Sequence, residues 1–167
     1  MYRKALNTYL RAVGYRLGKK LSLDSNGICV LQRDNDSANG YVIELPADSQ
    51  VVYFYAPVCR VPYGCTEEFF EKVLEYNLCG VMYNQATFGL DPKTQNIVIS
   101  YTRSMELLDE VALTNIVVNF IKTADRARAN LRKLVDALSE MYLLDDDETP
   151  QGMSQLQAKV NVNKLKA

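Results

Sequence analysis

The chain has 167 residues, 48% of them hydrophobic, and its 19 basic and 20 acidic side chains leave a net charge of −1. That is enough apolar material for one ordinary domain with its own core. The near-neutral balance offers no electrostatic case for nucleic acid, and no apolar run approaches the length of a membrane span. Histidine is absent, which removes the usual general base, the usual partner of a nucleophilic Ser or Cys, and the commonest metal ligand.

Residues Met1 to Leu23 contain no acid but carry Arg3, Lys4, Arg11, Arg16, Lys19 and Lys20. Leu6, Leu10, Val13, Leu17 and Leu21 fall on one helical face. Such a segment suits a transit peptide or a membrane-surface helix. A strand follows at once, with no linker, which favours a first structural helix over about Tyr2 to Lys19 with a solvated basic face. Asp24-Ser25-Asn26-Gly27 reads as a turn, with Asn-Gly supplying positive φ. Ile28 to Arg33 reads as a strand, Asp34 to Gly40 as a polar loop, Tyr41 to Leu45 as a second strand turned by Pro46-Ala47-Asp48, and Val51 to Val58 as a third. Within the third strand Tyr53 and Tyr55 share one face, Val52 and Phe54 the other.

Thr66 with Glu67 and Glu68 starts a second helix, placing acids where the helix dipole favours them. Phe69, Phe70, Val73, Leu74 and Leu78 form its apolar stripe, and Gly80 fits a position just past the helix end. Ala86, Phe88 and Leu90 alternate with Thr87 and Gly89. Asp91-Pro92-Lys93-Thr94 turns the chain, and Ile97 and Ile99 alternate on the return strand. A third helix is expected from about Leu108 to Tyr142. Its expected buried residues are Val111, Ile116, Phe120, Ala124, Leu131, Leu134 and Leu138; Arg126, Arg128, Arg132 and Lys133 are expected on wetter faces. The order is α-β-β-β-α-β-β-α, an α+β domain built from antiparallel hairpins. The domain is expected to cover residues 1–144. Residues 145–167 read as a flexible tail, opened by the acidic run Asp145 to Glu148 and broken at Pro150-Gln151-Gly152.

Several motifs fail on inspection. Gly14-Tyr15-Arg16-Leu17-Gly18-Lys19-Lys20 has three residues between its glycines where a phosphate loop has four. It also puts Lys20 where Ser or Thr would meet magnesium. Asp34 and Asp36 suggest a calcium loop, but Ala38 sits where a ligand is needed. Cys29, Cys59, Cys65 and Cys79 contain no C-x-x-C pair and read as small hydrophobes of a reducing compartment; a Cys59 to Cys65 disulfide has no support. Glu67, Glu68, Glu71 and Glu75 read as the solvated side of helix two. The sequence therefore predicts no enzyme, no metal and no cofactor.

The stretch Gly80 to Ser100, GVMYNQATFGLDPKTQNIVIS, between an apolar helix and a long last helix, resembles the class I chaperones of bacterial type III secretion, the CesT/SycE-like family. The resemblance is carried by Tyr76-Asn77-Leu78-Cys79-Gly80, by Gly89-Leu90-Asp91-Pro92, and by the first helix followed by Leu21 to Leu31 and a strand ending in Tyr55-Ala56-Pro57. It covers about Tyr2 to Leu144. The chain departs from the family in being near neutral and in its longer tail, and the fold also occurs outside secretion. The resemblance implies a twisted antiparallel sheet packed by three helices, in a homodimer of the bacterial cytoplasm. It implies a protein that works without ATP, holds the N-terminal region of a secreted effector non-globular, and has the export ATPase as a further partner. Carried onto this chain, the dimer seam would use Phe69, Val73, Leu74, Leu78, Phe88 and Leu90. The effector would lie on Leu6, Leu10, Val13 and Leu17 of helix one and Ile28, Val30, Tyr53 and Tyr55 of the sheet. The alternative is a non-enzymatic binding module of the same fold acting on a folded partner outside secretion.

Overall fold

The computed structural model describes residues 1–32, 40–64 and 67–147. The chain forms two compact units, residues 1–132 and 133–167. The first contains α1 (Tyr2–Leu17), β1 (Ile28–Leu31), β2 (Tyr41–Glu44), β3 (Val51–Arg60), α2 (Glu67–Glu75), β4 (Thr87–Asp91) and β5 (Asn96–Ser104). The last helix, α3, runs over Glu110–Asp147. The five strands form one antiparallel sheet in the order β1-β2-β3-β5-β4. This is the expected element order.

The sheet has one dry face. Cys29, Leu31, Tyr41, Ile43, Val52, Phe54, Ala56, Ile97 and Ile99 point to it, and all are buried. Helix α3 lies on this side, where Phe120 meets the Phe54 ring at 6.2 Å. Its buried stripe is Leu113, Val117, Phe120, Ala124, Ala127 and Leu131, a 4-3-4-3-4 spacing that keeps one side inward. Several expectations for this helix are corrected. Val111 is 58% exposed, because nine residues, or about two and a half turns, set it opposite Phe120. Ile116 is only half-buried, while its neighbour Val117 occupies the core. The helix starts at Glu110, since the Asp109 carboxylate accepts from Ala112 N–H at 2.7 Å and so caps the first turn. In the second unit, residues 133–147 are helical, with Leu134 and Leu138 half-buried. The helix passes the expected boundary at Leu144 by three residues; the rest of the expected tail, from Glu148, lies outside the described residues.

Helix α1 ends at Leu17, not Lys19. Gly18 adopts φ 66°, its N–H donates to Tyr15 O at 3.3 Å, and the Lys19 N–H donates to Gly14 O at 2.8 Å. This six-to-one and five-to-two pattern closes a helix C-terminus with glycine. Leu6, Leu10 and Val13 are fully buried. The Asn7 carboxamide accepts from Leu23 N–H at 2.8 Å, tying the helix to the segment that enters β1. At that entry Gly27 has φ 84°, and a Cβ there would stand 2.3 Å from Leu45 O, so the turn before β1 admits only glycine. The loop read from Asp34 to Gly40, with its calcium-like acids, falls largely outside the described residues, as do Arg33, Cys65 and Thr66. Strand β3 runs two residues past Val58, with a register irregularity between Pro57 and Cys59.

Candidate functional site: two apolar surfaces at the sheet edges

Pairing register sorts the remaining strand residues onto the opposite, wetter face. Ile28 faces Glu44 across β1 and β2, Val30 faces Val42, Val42 faces Tyr55, and Glu44 faces Tyr53. These six side chains form one patch. Val30 is 51% and Tyr53 40% exposed; Ile28, Val42, Glu44 and Tyr55 are half-buried. The Tyr55 hydroxyl donates to Glu44 Oε2 at 2.8 Å. Burial, followed by that hydrogen bond to a carboxylate, pushes the Tyr55 phenol up to about 12. The other half of this face, on β4 and β5, carries Thr87, Gly89, Ser100 and Thr102 together with the half-buried Val98. The exposed apolar side chains of this face, Val30 and Tyr53, therefore lie at the β1-β2-β3 end.

β1 is an edge strand. At its start the Asp24 carboxylate accepts from Ile28 N–H at 2.9 Å, and the Asp24 N–H donates to Ile28 O at 2.8 Å. Ile28 thus turns its backbone away from β2, and by antiparallel alternation so does Val30. No partner for the Val30 N–H and C=O is present among the described residues. One ladder position stays open beside an exposed apolar side chain.

The other edge is β4. After α2 the chain makes a 3-10 turn at Leu78–Gly80; the helix stops at Glu75, earlier than the expected end at Gly80. Between them stands Asn77. Its carboxamide accepts from Phe88 N–H at 2.7 Å and donates to Phe88 O at 3.1 Å, which satisfies one full ladder position of the edge strand. Leu74, Leu78, Val81, Met82 and Leu90 around this junction are 65%, 75%, 80%, 52% and 46% exposed. Asn84 and Gln85, at φ 54° and 67°, turn the chain back from this surface toward β4.

Each residue expected at a binding surface can now be placed. Leu17, Ile28, Val30, Tyr53 and Tyr55 reach the surface or its margin; Leu6, Leu10 and Val13 are core. On the other side Leu74, Leu78 and Leu90 are exposed, while Phe69, Val73 and Phe88 are buried in the protomer. Phe88 belongs to an aromatic trio. Its ring meets Tyr83 edge-on at 4.8 Å and Tyr76 at 5.7 Å, and Tyr76 meets Tyr83 at 5.4 Å. Tyr83 is fully buried, accepts from Asn130 Nδ2 at 2.9 Å and lies under the Arg126 guanidinium at 5.1 Å.

Sequence reasoning missed Val42 and Glu44, which alternation in β2 would have given once Tyr41 and Ile43 were assigned inward. It also missed Val81 and Met82, where no periodicity operates. A further correction concerns Arg128, expected on a wet face. Its side chain is 14% exposed. It donates to Asp125 Oδ1 at 3.0 Å, Pro57 O at 3.1 Å and Gly40 O at 3.3 Å, and stacks over the Tyr41 ring at 4.8 Å. Tyr41 OH donates to Asp125 at 2.5 Å, and burial ahead of that bond raises its phenol. This is a bolt between α3 and the strand ends, since three of the guanidinium's five N–H groups are bonded to partners on those elements.

Cys29 is buried, and burial pushes its thiol up; Cys59 is half-buried and donates to Arg60 O at 3.1 Å. Among the described residues no group of three or more His, Cys, Asp or Glu side chains could hold a metal, and no helix is long and apolar enough to cross a membrane.

The sequence model described as the Tir chaperone protein (CesT) family matches residues 8–128. No curated protein sequence matches the chain. Among solved structures, the fold is similar to a chain of the ExsC-ExsE complex at 21% identity and a TM-score of 0.66, covering 77% of this chain and 95% of that one. It is similar to a chain of the HopA1-SchA chaperone-effector complex at 15% identity and a TM-score of 0.60, covering 76% and 95%. It is also similar to a chain of the heterodimeric ExoU-SpcU complex of the Pseudomonas aeruginosa type III secretion system, at 16% identity and a TM-score of 0.54, covering 74% and 95%.

Proposed function

Because the chain belongs to the Tir chaperone protein (CesT) family, we propose that it is a bacterial cytoplasmic chaperone of type III secretion. It binds the N-terminal region of an effector, keeps that region non-globular for export, and does so without ATP or catalysis. The observation that carries the reading is the apolar patch of Ile28, Val30, Val42, Tyr53 and Tyr55 beside an open ladder position on β1. An edge strand with a free backbone position is a template for strand addition, and flanking apolar side chains give the added strand its affinity. A segment without its own fold suits such a surface, since ordering it costs about 2–5 kcal/mol while burying on the order of 1,000–3,000 Å². It is held by many modest contacts that the export machinery, its ATPase included, can peel away.

The second surface supports a two-fold homodimer. Leu74, Leu78 and Leu90 with Val81 and Met82 sit on α2, its following turn and β4, and a two-fold axis presents the same patch from both copies. The effector surface, at the far side of the sheet order, stays clear of it.

Co-expression with the product of the neighbouring reading frame, followed by sedimentation and mass spectrometry, tests the proposal. The expected species is two copies of this chain with one effector whose N-terminal segment is protected from protease only in the complex. A stable monomer that captures no such segment overturns it.

A further inference from the structure

The patch on β1-β2-β3 carries a single charge. Glu44 stands among Ile28, Val30, Val42, Tyr53 and Tyr55, paired across the ladder with Ile28 on one side and Tyr53 on the other. Its only hydrogen-bond donor among the described residues is the Tyr55 hydroxyl at 2.8 Å, and no cation lies within ion-pair distance of it there. A carboxylate has room for about four hydrogen bonds, so most of its acceptor capacity faces outward. A half-buried carboxylate in an apolar surroundings is a poor choice for packing alone, because any partner that covers it must supply a donor or leave a buried charge unpaired.

We infer that Glu44 is a specificity-determining residue of this surface, selecting an extended client segment that carries one lysine or arginine within an alternating apolar run. The inference rests on the chaperone reading above and adds the chemistry of the segment. The geometry accommodates it. A strand laid on the open position at Val30 lies two strand spacings from β2, about 10 Å. The residue opposite Val30 points to the same face as Glu44. A lysine or arginine stem spans that gap over Ile28, burying its methylenes on the apolar side chain while its head reaches the carboxylate. A glutamine at the same client position reaches less far and brings no charge, and a glutamate meets Glu44 with like charge. Complementary charge here sets choice of partner and register more than raw affinity.

The test uses the full chain and a panel of 15-residue peptides of alternating Val and Thr whose central residue is Arg, Gln or Glu, with affinities read by fluorescence anisotropy. The wild type is expected to prefer the Arg peptide over the Gln peptide on the order of tenfold, with the Glu peptide weakest. Glu44→Gln keeps an acceptor for Tyr55 and is expected to equalise the Arg and Gln peptides without changing the melting temperature. Glu44→Lys is expected to reverse the order, favouring the Glu peptide. Equal affinities in the wild type, or a preference for Arg that survives in Glu44→Gln, overturn the inference. So does a peptide of residues 148–167 that displaces the Arg peptide at equal concentration, which would make the chain's own C-terminal segment the occupant. A Glu44→Lys chain with an altered sedimentation coefficient would assign the face to a second copy and overturn it too. Peptides that bind without charge preference remove only the role of Glu44; a monomer that captures no effector segment removes the chaperone reading as well.

Discussion

The two edges of the sheet are blunted by different chemistry at equivalent places. On β4 one side chain does the whole task. The Asn77 carboxamide has a donor and an acceptor, so it meets both the N–H and the C=O of Phe88 and stands in for a strand residue. On β1 the residue is Asp24, whose carboxylate only accepts. It takes the Ile28 N–H, and its own backbone N–H must serve the Ile28 C=O. Past each clamp one ladder position has no partner among the described residues, at Leu90 and at Val30, and each carries an exposed apolar side chain. The flanking surfaces diverge. On the Leu90 side the exposed apolar residues are Leu78, Val81 and Met82, with charge at the margin, where Arg126 donates to the Met82 carbonyl and Lys72 pairs with Glu75 on α2. Beside Val30 lies a patch with Glu44 in it, suited to a partner chosen by charge. On the proposed reading, one edge of the sheet would meet a copy of this chain and the other a client segment.

The largest expected effect tests whether Phe88 belongs to the seam or to the core. It is 7% exposed and packed against Tyr83 and Tyr76. Phe88→Asp removes that packing and buries an unpaired charge, a loss of roughly 4 kcal/mol or more. Thermal denaturation is expected to show an unfolded or molten protomer. A folded, cooperative monomer would instead return Phe88 to the interface.

A reciprocal exchange of the clamps comes next. Asn77→Asp keeps an acceptor for the Phe88 N–H but turns a carboxylate oxygen toward the Phe88 carbonyl, with an expected cost of about 2 kcal/mol. Asp24→Asn keeps the acceptor that Ile28 needs, because the backbone supplies the donor, and is expected to cost under about 1 kcal/mol. Urea denaturation of the two variants reads the difference. Equal losses would mean that the clamps are chemically alike after all.

Why the sequence reading divided as it did follows from these contacts. Element order was legible because turns carry local chemistry: Asp24-Ser25-Asn26-Gly27 and Asp91-Pro92-Lys93-Thr94 each act within a few residues. The Asn77 clamp was visible only as a motif, since its partner lies eleven residues on and across a turn. Periodicity tells which residues share a face but not what covers that face. Phe88 and Leu90 alternate identically, yet one is buried within the aromatic trio and the other is 46% exposed. Leu6, Leu10, Val13 and Leu17 form one stripe, and only the last turn, next to the Gly18 cap, emerges into water. In α3 the dense apolar run from Val111 to Phe120 offers two overlapping stripes, and pairing Val111 with Phe120 mixed them.

The open position on β1 can be closed without touching the fold. The Val30 N–H points away from β2, so Val30→Pro removes no ladder bond, and proline is tolerated on such an edge. Its φ suits a strand, and Cys29 before it is already extended, as the residue before proline prefers. The melting temperature is expected to stay within a few degrees. Affinity for a client segment is expected to fall roughly fivefold, the worth of about one backbone hydrogen bond. Unchanged affinity would show that the segment lies across the face and does not pair with the edge.

The smallest effect concerns the hydrogen bond that holds Glu44 in place. The Tyr55 phenol is raised from 10.0 to about 12, first by burial and then by its bond to Glu44. A tyrosine is neutral when protonated, so a raised value means the fold favours the protonated form. The stability it contributes is complete below pH 10 and is lost as pH climbs from about 10 to about 12, where the folded protein must also give up the proton. Tyr41 is raised as well, by burial first and Asp125 second, so wild-type stability declines across this range for two reasons. Tyr55→Phe isolates one of them. Its melting temperature should fall less steeply than that of the wild type between pH 10 and 12, and the difference between the two curves is the contribution of Tyr55. The same substitution frees Glu44 from its only donor among the described residues. A client cation then gains a carboxylate without competition but loses its fixed orientation. If the two pH curves run parallel, Tyr55 is not linked to folding, and the bond to Glu44 orients the carboxylate without stabilising the sheet.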